Sequence, residues 1–276
     1  MSVEVLATYI FFAYLGTTLF LGWLGRRNMK GATTQEFYTA GKSVGPWLGM
    51  ATYGASNWSA FTFLGSVGIY YSHGLGYAAL PIGEMFFLGI LFPTLGYKIW
   101  KFSRSPEVFT LTDIVARRYE EDHWVRAMYA VTNVVFMFFL MGVQIVGIAY
   151  VVEKVTGGII SYRGAVFVVV FILIIYQTLG GMRGVAYTDA LQLVFLTLTL
   201  VCVLAAILIH FDLTEVFRRV AAGPKAAILA APGPEGIWSR TYWTTSFVAF
   251  GFGWFLWPHL WARITSSRDK RSLWTI

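Results

Sequence analysis

The sequence predicts an all-α integral membrane protein, because of its composition and the positions of its charges. Hydrophobic residues make up 57% and charged residues 13% of the 276 residues, whereas a soluble domain has about half and about a quarter. Six runs without Asp, Glu, Lys or Arg are each long enough to cross about 30 Å of hydrocarbon as a helix. They are residues 5–25, 43–83, 127–152, 164–182, 190–209 and 241–262.

We expect about seven membrane-spanning helices in a single transmembrane domain that covers residues 1–276. The stretch from Ser43 to Tyr97 must hold two of them, because residues 71–76 supply a turn. The first run is too long for a signal-peptide core and acidic Glu4 precedes it, so we expect it to remain as a helix. The spans are placed at 3–24, 44–71, 75–97, 125–153, 164–182, 187–211 and 241–262.

The basic residues of the connections predict the orientation. If successive connections lie on alternate sides, 15 Lys and Arg fall on one side and 6 on the other, and the richer side is cytoplasmic. We therefore expect a multi-pass protein of the plasma membrane, with its N-terminus outside and its C-terminus in the cytoplasm. The net charge of +7 is explained by contacts with the lipid bilayer, and no nucleic-acid partner is predicted.

Two connections are long. The cytoplasmic one contains Thr110 and Asp113, which are typical of a capped amphipathic helix, and we expect that helix along the membrane surface. The outer one opens with a short polar helix at 213–222. It continues into an irregular loop, rich in Gly and Pro, at 230–236.

The second span has the features of a broken helix. Gly54 and Gly65 bracket a cluster of Ser, Asn and Thr at mid-membrane depth. A helix that unwinds there exposes backbone carbonyls, which are oxygen ligands suited to a small cation. The alternative is that these small polar residues allow close helix packing and hydrogen bonds across the bundle.

Glu84, in the third span, is a candidate functional residue. A carboxylate within the membrane is costly unless it is paired, protonated or facing water. The alternative is an interhelical hydrogen bond from the neutral acid. Gln144 and Gln177 are weaker candidates of the same kind, since such residues more often join helices.

Further signals lie in the later spans. Gly180 and Gly181 are expected to end one helix, and Thr188 with Asp189 to start the next, with Asp189 at its positive end. Alternatively, Asp189 guides a departing cation into the cytoplasm. Two glycines before Pro258 predict a second broken helix in the last span.

Enzyme motifs are absent from the sequence. It contains no phosphate loop, no nucleophile elbow and no zinc-binding helix. The single cysteine, Cys202, excludes an intramolecular disulfide and a multi-cysteine metal site. We therefore expect neither an enzyme nor a resident cofactor.

Several motifs, taken in order, resemble the sodium/solute symporter family, whose members take up proline, pantothenate, sugars or small carboxylates with sodium. The motifs are Gly54-Ala55-Ser56-Asn57-Trp58-Ser59-Ala60 with Gly65, then His73-Gly74-Leu75-Gly76, then Gly180-Gly181-Met182-Arg183 with Thr188-Asp189, and finally Pro258-His259-Leu260-Trp261-Ala262-Arg263. In the last motif Ala262 stands where many members have Gln.

The resemblance implies an inverted-repeat fold of the leucine-transporter type. It has an extra helix at 3–24, a first five-helix repeat at 44–211 and the first helix of a second repeat at 241–262. Family members are nearly twice as long, so we expect the rest of that repeat to be missing from these 276 residues. The chain is then a truncation, or a separate chain supplies the missing helices, or transport has been lost.

Carried over position by position, the resemblance also implies a site. Sodium is the coupling ion, bound by the backbone carbonyls of Ala55 and Trp58. The substrate-facing residues would be Asn57, Phe61, Thr62 and Glu84. Trp254 would lie near the inner gate, and Asp189 near the sodium exit.

The expected function is therefore sodium-coupled symport of a small organic solute by alternating access. Phe61 and Thr62 replace a polar pair of the sugar-transporting members and argue against a sugar. Glu84 suits an ammonium or amide group, which favours an amino acid, with a small carboxylate as the nearest competitor. The alternative is a sensory or structural membrane module, or an inactive fragment, that does not transport.

Overall fold

The structure, a computed structural model, describes residues 2–233 and 239–276. Within these ranges the regular elements are helices, and Val44 and Ser267 form one isolated β-bridge. The helices are α1 (Val3–Arg27), α2 (Thr34–Thr39), α3 (Pro46–Asn57), α4 (Ser66–His73), α5 (Ala79–Leu91), α6 (Tyr97–Phe102), α7 (Leu111–Arg118), α8 (His123–Val155), α9 (Tyr162–His210), α10 (Leu213–Ala222), α11 (Arg240–Phe255), α12 (Pro258–Ser266) and α13 (Lys270–Trp274). Between them lie 3₁₀ turns at Ala40–Lys42, Leu75–Ala78 and Ala226–Leu229, and π-helical turns at Phe61–Gly65 and Phe92–Gly96.

Four helical stretches of the described residues are long and apolar enough to cross a membrane: Val3–Arg27, Leu75–Phe102, His123–Val155 and Tyr162–His210. Large apolar side chains cover much of their outer surface. On α8 and α9, for example, Phe138 and Phe167 are exposed, which suits a surface that faces lipid. The predicted class, an all-α membrane protein, is confirmed.

Side chains cap the starts of the long helices, where the first backbone N–H groups lack helical partners. Asp122 accepts a hydrogen bond from the Val125 amide at the start of α8 (2.8 Å), and Ser161 accepts one from the Gly164 amide at the start of α9 (3.3 Å). These caps fix where each helix leaves its connecting loop.

Helix α9 turns back on itself at Gly181. This residue has φ 50° and ψ −153° inside an otherwise helical run, a backbone conformation that suits glycine. Before the turn, Tyr176 lies against Gly22 of α1. After the turn, Gln192 donates to the Tyr14 hydroxyl (2.8 Å). Tyr14 lies about two helical turns closer to the start of α1 than Gly22 does. The second part of α9 therefore runs back along α1.

The start predicted for a helix at Thr188 and Asp189 is wrong. The helix resumes directly after Gly181, so both residues lie inside α9, and both are buried. A single glycine makes the turn without a loop, and Asp189 therefore does not cap a helix.

Helix α7 is the capped amphipathic helix predicted in the cytoplasmic connection. Thr110 and Asp113 exchange the reciprocal hydrogen bonds of a capping box. Its apolar side packs against the protein interior, where Leu111 is buried in a cluster with Ile264. The Asp113 carboxylate also accepts a hydrogen bond from Arg126 of α8 (2.8 Å). The expected position of α7 along the membrane surface stays a prediction.

The outer polar helix predicted at 213–222 is α10, with those bounds. Of the irregular loop predicted at 230–236, residues 230–233 lack regular structure, and residues 234–236 lie outside the described part of the chain.

Helices α5 and α11 cross with their backbones in contact. A Cβ atom on Gly83 would lie 2.2 Å from the Phe247 carbonyl oxygen, and one on Gly251 would lie 2.6 Å from the Gly83 carbonyl oxygen. Small residues allow such close approach between membrane helices. The crossing brings the residue after Gly83, Glu84, next to α11.

The start of α3 is tied to the end of α12. The Val44 amide donates to the Ser266 carbonyl (3.1 Å), and the Arg268 amide donates to the Val44 carbonyl (2.8 Å). Arg104 adds a hydrogen bond from its guanidinium to the Ser267 carbonyl (2.9 Å). We call these contacts the α3–α12 tie.

Candidate functional site

The predicted interruption of the second span is present. Helix α3 ends at Asn57, and Trp58 has the extended conformation φ −90°, ψ 107°. Helical structure resumes at Ala60 and continues through the π-helical turn into α4. The chain from Pro46 to His73 is therefore two half-helices with an irregular joint.

Two hydroxyl groups keep the joint from closing into a helix. The Ser59 amide donates to Thr62 Oγ1 (3.3 Å), and the Thr62 amide donates to Ser59 Oγ (3.4 Å). In a regular helix these amides would bond the carbonyls four residues earlier, which belong to Ala55 and Trp58. Both carbonyls are thereby released from the helical hydrogen-bond ladder.

Gln144 of α8 caps the second half-helix. Its side-chain oxygen accepts a hydrogen bond from the Ala60 amide (2.9 Å), which in a regular helix would bond the Ser56 carbonyl. Sequence reasoning treated Gln144 as a residue that joins helices. It does join α8 to the joint, but its capping role could not be predicted without knowing which backbone amide it faces.

Asn57, the last residue of α3, links two other helices. Its Nδ2 atom donates to Glu84 Oε1 on α5 (2.6 Å), and the indole nitrogen of Trp254 on α11 donates to its Oδ1 atom (2.5 Å). The structure thus brings together three of the predicted site residues, which we call the Asn57 triad. The amide uses its donor and its acceptor at once, so neither an apolar nor an ionised side chain can replace it.

A second interruption lies beside the triad, as the proline predicted. Helix α11 ends at Phe255, Trp257 is extended (φ −66°, ψ 127°), and Pro258 is the first residue of α12. Proline suits this position because its missing N–H would have no helical partner there. Trp254 therefore stands in the last turn before this break, and its bond to Asn57 joins the two breaks.

Asp189 lies in a second polar cluster. Thr52 Oγ1 and Arg263 Nη2 both donate to its Oδ2 atom, the latter at 2.9 Å. Arg263 also donates to the carbonyl of His259 (3.0 Å). The ion pair is buried, with the Arg263 and Asp189 side chains 10% and 11% exposed.

This Asp189 triad of Thr52, Asp189 and Arg263 connects α3, α9 and α12. Thr52 precedes Asn57 by five residues, so the two triads are separated by about 7 Å along α3. Sequence reasoning missed Arg263 as a partner, because it is 74 residues from Asp189 along the chain and only folding brings them together.

Phe61 and Thr62 lie outside both triads. The Thr62 hydroxyl is at the joint, 3.5 Å from the Asn57 carbonyl oxygen. Phe61 lines an apolar groove of about 500 Å³ between the π-helical turn and α8, together with Phe138 and Phe139. Of the predicted site residues, Phe61 is the one placed on this apolar wall.

Comparisons with known proteins agree with the sequence motifs. Residues 37–275 match the model of the sodium:solute symporter family. Sodium/proline symporter 2 of Staphylococcus saprophyticus is 25% identical over 269 residues, which are 96% of this chain and 51% of that protein. The sodium/pantothenate symporters of Haemophilus influenzae (24%) and Escherichia coli (25%) are each matched over 90% of this chain and about half of their own length, 50% and 51% respectively. The chain thus spans about half the length of these curated relatives, and no solved structure matches it with comparable significance.

Proposed function

Since the chain belongs to the sodium:solute symporter family, a family of transporters and not of enzymes, we propose that it acts in sodium-coupled symport of a small organic solute by alternating access. It is a multi-pass membrane protein, and we place it in the plasma membrane. The observation that carries the proposal is the joint between α3 and α4, where two backbone carbonyls have lost their helical partners.

These carbonyls are the proposed sodium ligands. Unwound backbone at the break of a membrane helix coordinates sodium in transporters of this general design. Ser59 and Thr62 hold the joint open by bonding the amides that would otherwise cover the carbonyls of Ala55 and Trp58. The chain therefore keeps two oxygen atoms available without the cost of unpaired amides.

The proposed solute cavity is formed around the Asn57 triad. The Glu84 carboxylate accepts hydrogen bonds, so a solute with an ammonium or amide group fits it best, and an amino acid is our first choice. Thr62 stands at the adjoining joint, whereas Phe61, the other predicted substrate-facing residue there, lines the groove beside α8. Trp254 lies between this cavity and the second break and is the proposed inner gate. Asp189 is the proposed acidic residue near the exit of sodium.

The proposed architecture has seven spans, with α9 counted as two because of the turn at Gly181. It corresponds to an extra helix at 3–24, a first five-helix repeat at 44–211 and a first helix of a second repeat at 241–262. The proposed orientation has the N-terminus outside and the C-terminus in the cytoplasm, as the basic residues of the connections indicate.

Sodium is expected to stabilise the purified 276-residue chain. A ligand that binds only the folded state adds RT ln(1 + [L]/Kd), about 2.7 kcal/mol at 100 times Kd. The measurement is the thermal unfolding midpoint in lipid vesicles, titrated with sodium chloride against choline chloride at constant ionic strength. Equal midpoints in both salts at every concentration would overturn the sodium site.

Uptake separates the two functional hypotheses. Labelled proline is offered to the same vesicles with an inward sodium gradient and, as the control, without one. Sodium-driven accumulation supports symport. Sodium stabilisation without accumulation would instead favour the non-transporting module or an inactive fragment, and it would leave the sodium site standing.

Replacement Glu84→Gln is expected to weaken solute binding while leaving the fold intact. The glutamine side-chain oxygen can still accept the hydrogen bond from Asn57, so the triad persists, but the negative charge that would face an ammonium group is lost. We expect a loss of affinity of about tenfold or more, because hydrogen bonds to charged groups contribute about 1.5–3 kcal/mol. The measurement is proline binding by scintillation proximity, and Glu84→Leu, which removes the acceptor, is the structural control. Unchanged affinity in Glu84→Gln would make the carboxylate a helix-joining residue only.

A further inference from the structure

Helix α10 carries an exposed apolar face. Leu213, Val216 and Phe217 are 39%, 41% and 51% exposed, respectively, and none of the helix is buried. At about 100° per residue, these three residues and Val220 lie on one side of the helix. The helix predicted as polar is therefore amphipathic.

The opposite face is polar and internally paired. Glu215 accepts hydrogen bonds from the guanidinium groups of Arg218 (2.8 Å) and Arg219 (2.7 Å). Both arginine side chains are largely exposed. Charge and apolar surface are thus separated across a helix of 10 residues.

One end of α10 is fixed to the end of a membrane-spanning segment. The part of α9 after Gly181 is about 43 Å long, which exceeds the hydrocarbon thickness of about 30 Å. Exposed apolar residues, among them Leu208 and Ile209, continue to its end. Only Phe211 and Asp212 then precede α10, so it begins within about 10 Å of that end.

The other end of α10 is held on the same side of the membrane. The segment after it packs on the turn that follows α4, where a Cβ atom on Gly74 would lie 2.1 Å from the Ile228 carbonyl oxygen. Lys225 Nζ also lies 5.5 Å from the centre of the Tyr71 ring. Both ends of α10 are therefore held near the ends of helical segments, α9 at one end and α4 at the other.

We propose that α10 lies in the lipid headgroup layer, with Leu213, Val216 and Phe217 inserted among the acyl chains. An amphipathic helix that lies along a bilayer gains free energy from burying its apolar face there, while its polar face stays in water. The guanidinium groups of Arg218 and Arg219, on the polar face, are then in contact with lipid phosphate groups and water. The occupant of the apolar face is thus a lipid surface, and its apolar area continues that of α9.

Helix α7 gives the contrast within the same chain. It is also short and amphipathic, but its apolar side packs against α8 and the buried cluster that contains Ile264. Protein covers α7, whereas the apolar face of α10 stays exposed in the described part of the chain. Neither sodium binding nor transport is needed for α10 to take this position.

The test is spin-label accessibility along α10. The only cysteine, Cys202, is replaced by serine, and single cysteines are introduced at Leu213, Val216 and Phe217. Matched control sites on the polar face are Thr214 and Ala222. Each variant of the 276-residue chain is labelled and placed in phosphatidylcholine vesicles, and its collision rates with oxygen and with a water-soluble nickel chelate are measured.

Labels on the apolar face are expected to show an oxygen-to-nickel ratio several-fold higher than the control labels, with a period of about 3.6 residues. High nickel accessibility at all sites would place α10 in water and overturn the proposal. Low accessibility to both reagents at the apolar sites would mean that protein covers this face, which also overturns it. These substitutions are at exposed positions, so folding is retained, and size-exclusion chromatography of each variant checks that.

Discussion

Gly83→Ala is expected to destabilise the protein by about 3 kcal/mol or more and to abolish solute binding. The new methyl group would lie 2.2 Å from the backbone oxygen of Phe247, and no side-chain rotation can relieve a clash with backbone. Overpacking of this kind typically costs about 1–3 kcal/mol, and more where the backbone must move. If α5 moves away from α11, Glu84 also moves away from Trp254, the other residue that is hydrogen-bonded to Asn57.

Two glycines on the same helices give matched controls. A Cβ atom on Gly89 of α5 or on Gly253 of α11 would meet nothing within 4 Å. Their alanine variants are expected to unfold at or slightly above the temperature of the unmodified chain, because alanine favours helix. The measurement is thermal unfolding followed by circular dichroism, together with proline binding. Equal unfolding temperatures for Gly83→Ala and Gly89→Ala would show that the two helices do not pack backbone to backbone.

Arg263→Gln is expected to cost about 3–5 kcal/mol, because it leaves the Asp189 carboxylate buried without its charged partner. Thr52 donates only one hydrogen bond to that carboxylate, which does not replace a guanidinium. The double variant Asp189→Asn with Arg263→Gln is expected to recover much of the loss, since a buried neutral pair avoids the uncompensated charge.

An exposed ion pair of the same chain serves as the control. Arg218 pairs with Glu215, but its side chain is 76% exposed, so Arg218→Gln is expected to cost less than about 1 kcal/mol. All variants are compared by chemical unfolding, and the coupling between Asp189 and Arg263 follows from the double-mutant cycle. If Arg263→Gln is as mild as Arg218→Gln, the Asp189 triad does not contribute to stability.

Features coded by local sequence could be predicted well. Gly54 and Gly65 around the Ser and Thr residues indicated the first break, and Pro258 indicated the second. The Thr110 and Asp113 spacing indicated the cap of α7. In each case the groups that compete for the backbone lie within a few residues of it, so the outcome depends little on the rest of the fold.

Features that depend on distant packing could not be predicted. Thr188 and Asp189 have the pattern of a helix start, but the Asp189 carboxylate is used by Arg263 instead. The crossing of Gly83 and Gly251 needs two helices that are far apart in sequence, and no local pattern distinguishes these glycines from Gly89. The exposed face of α10 was also missed, because its three charged residues make residues 213–222 polar on average, while its apolar residues gather on one side only when placed around a helix.

The α3–α12 tie has a mechanical consequence. Helices α3 and α12 share hydrogen bonds through Val44, again at the Asp189 triad, and α3 meets the end of α11 through Asn57 and Trp254. Helix α3 is thus joined to α12 at two levels and to α11 at a third, so the loss of one connection leaves α3 held by the other two. Any movement of α3 away from both neighbouring helices must therefore break contacts at three separate levels of the bundle.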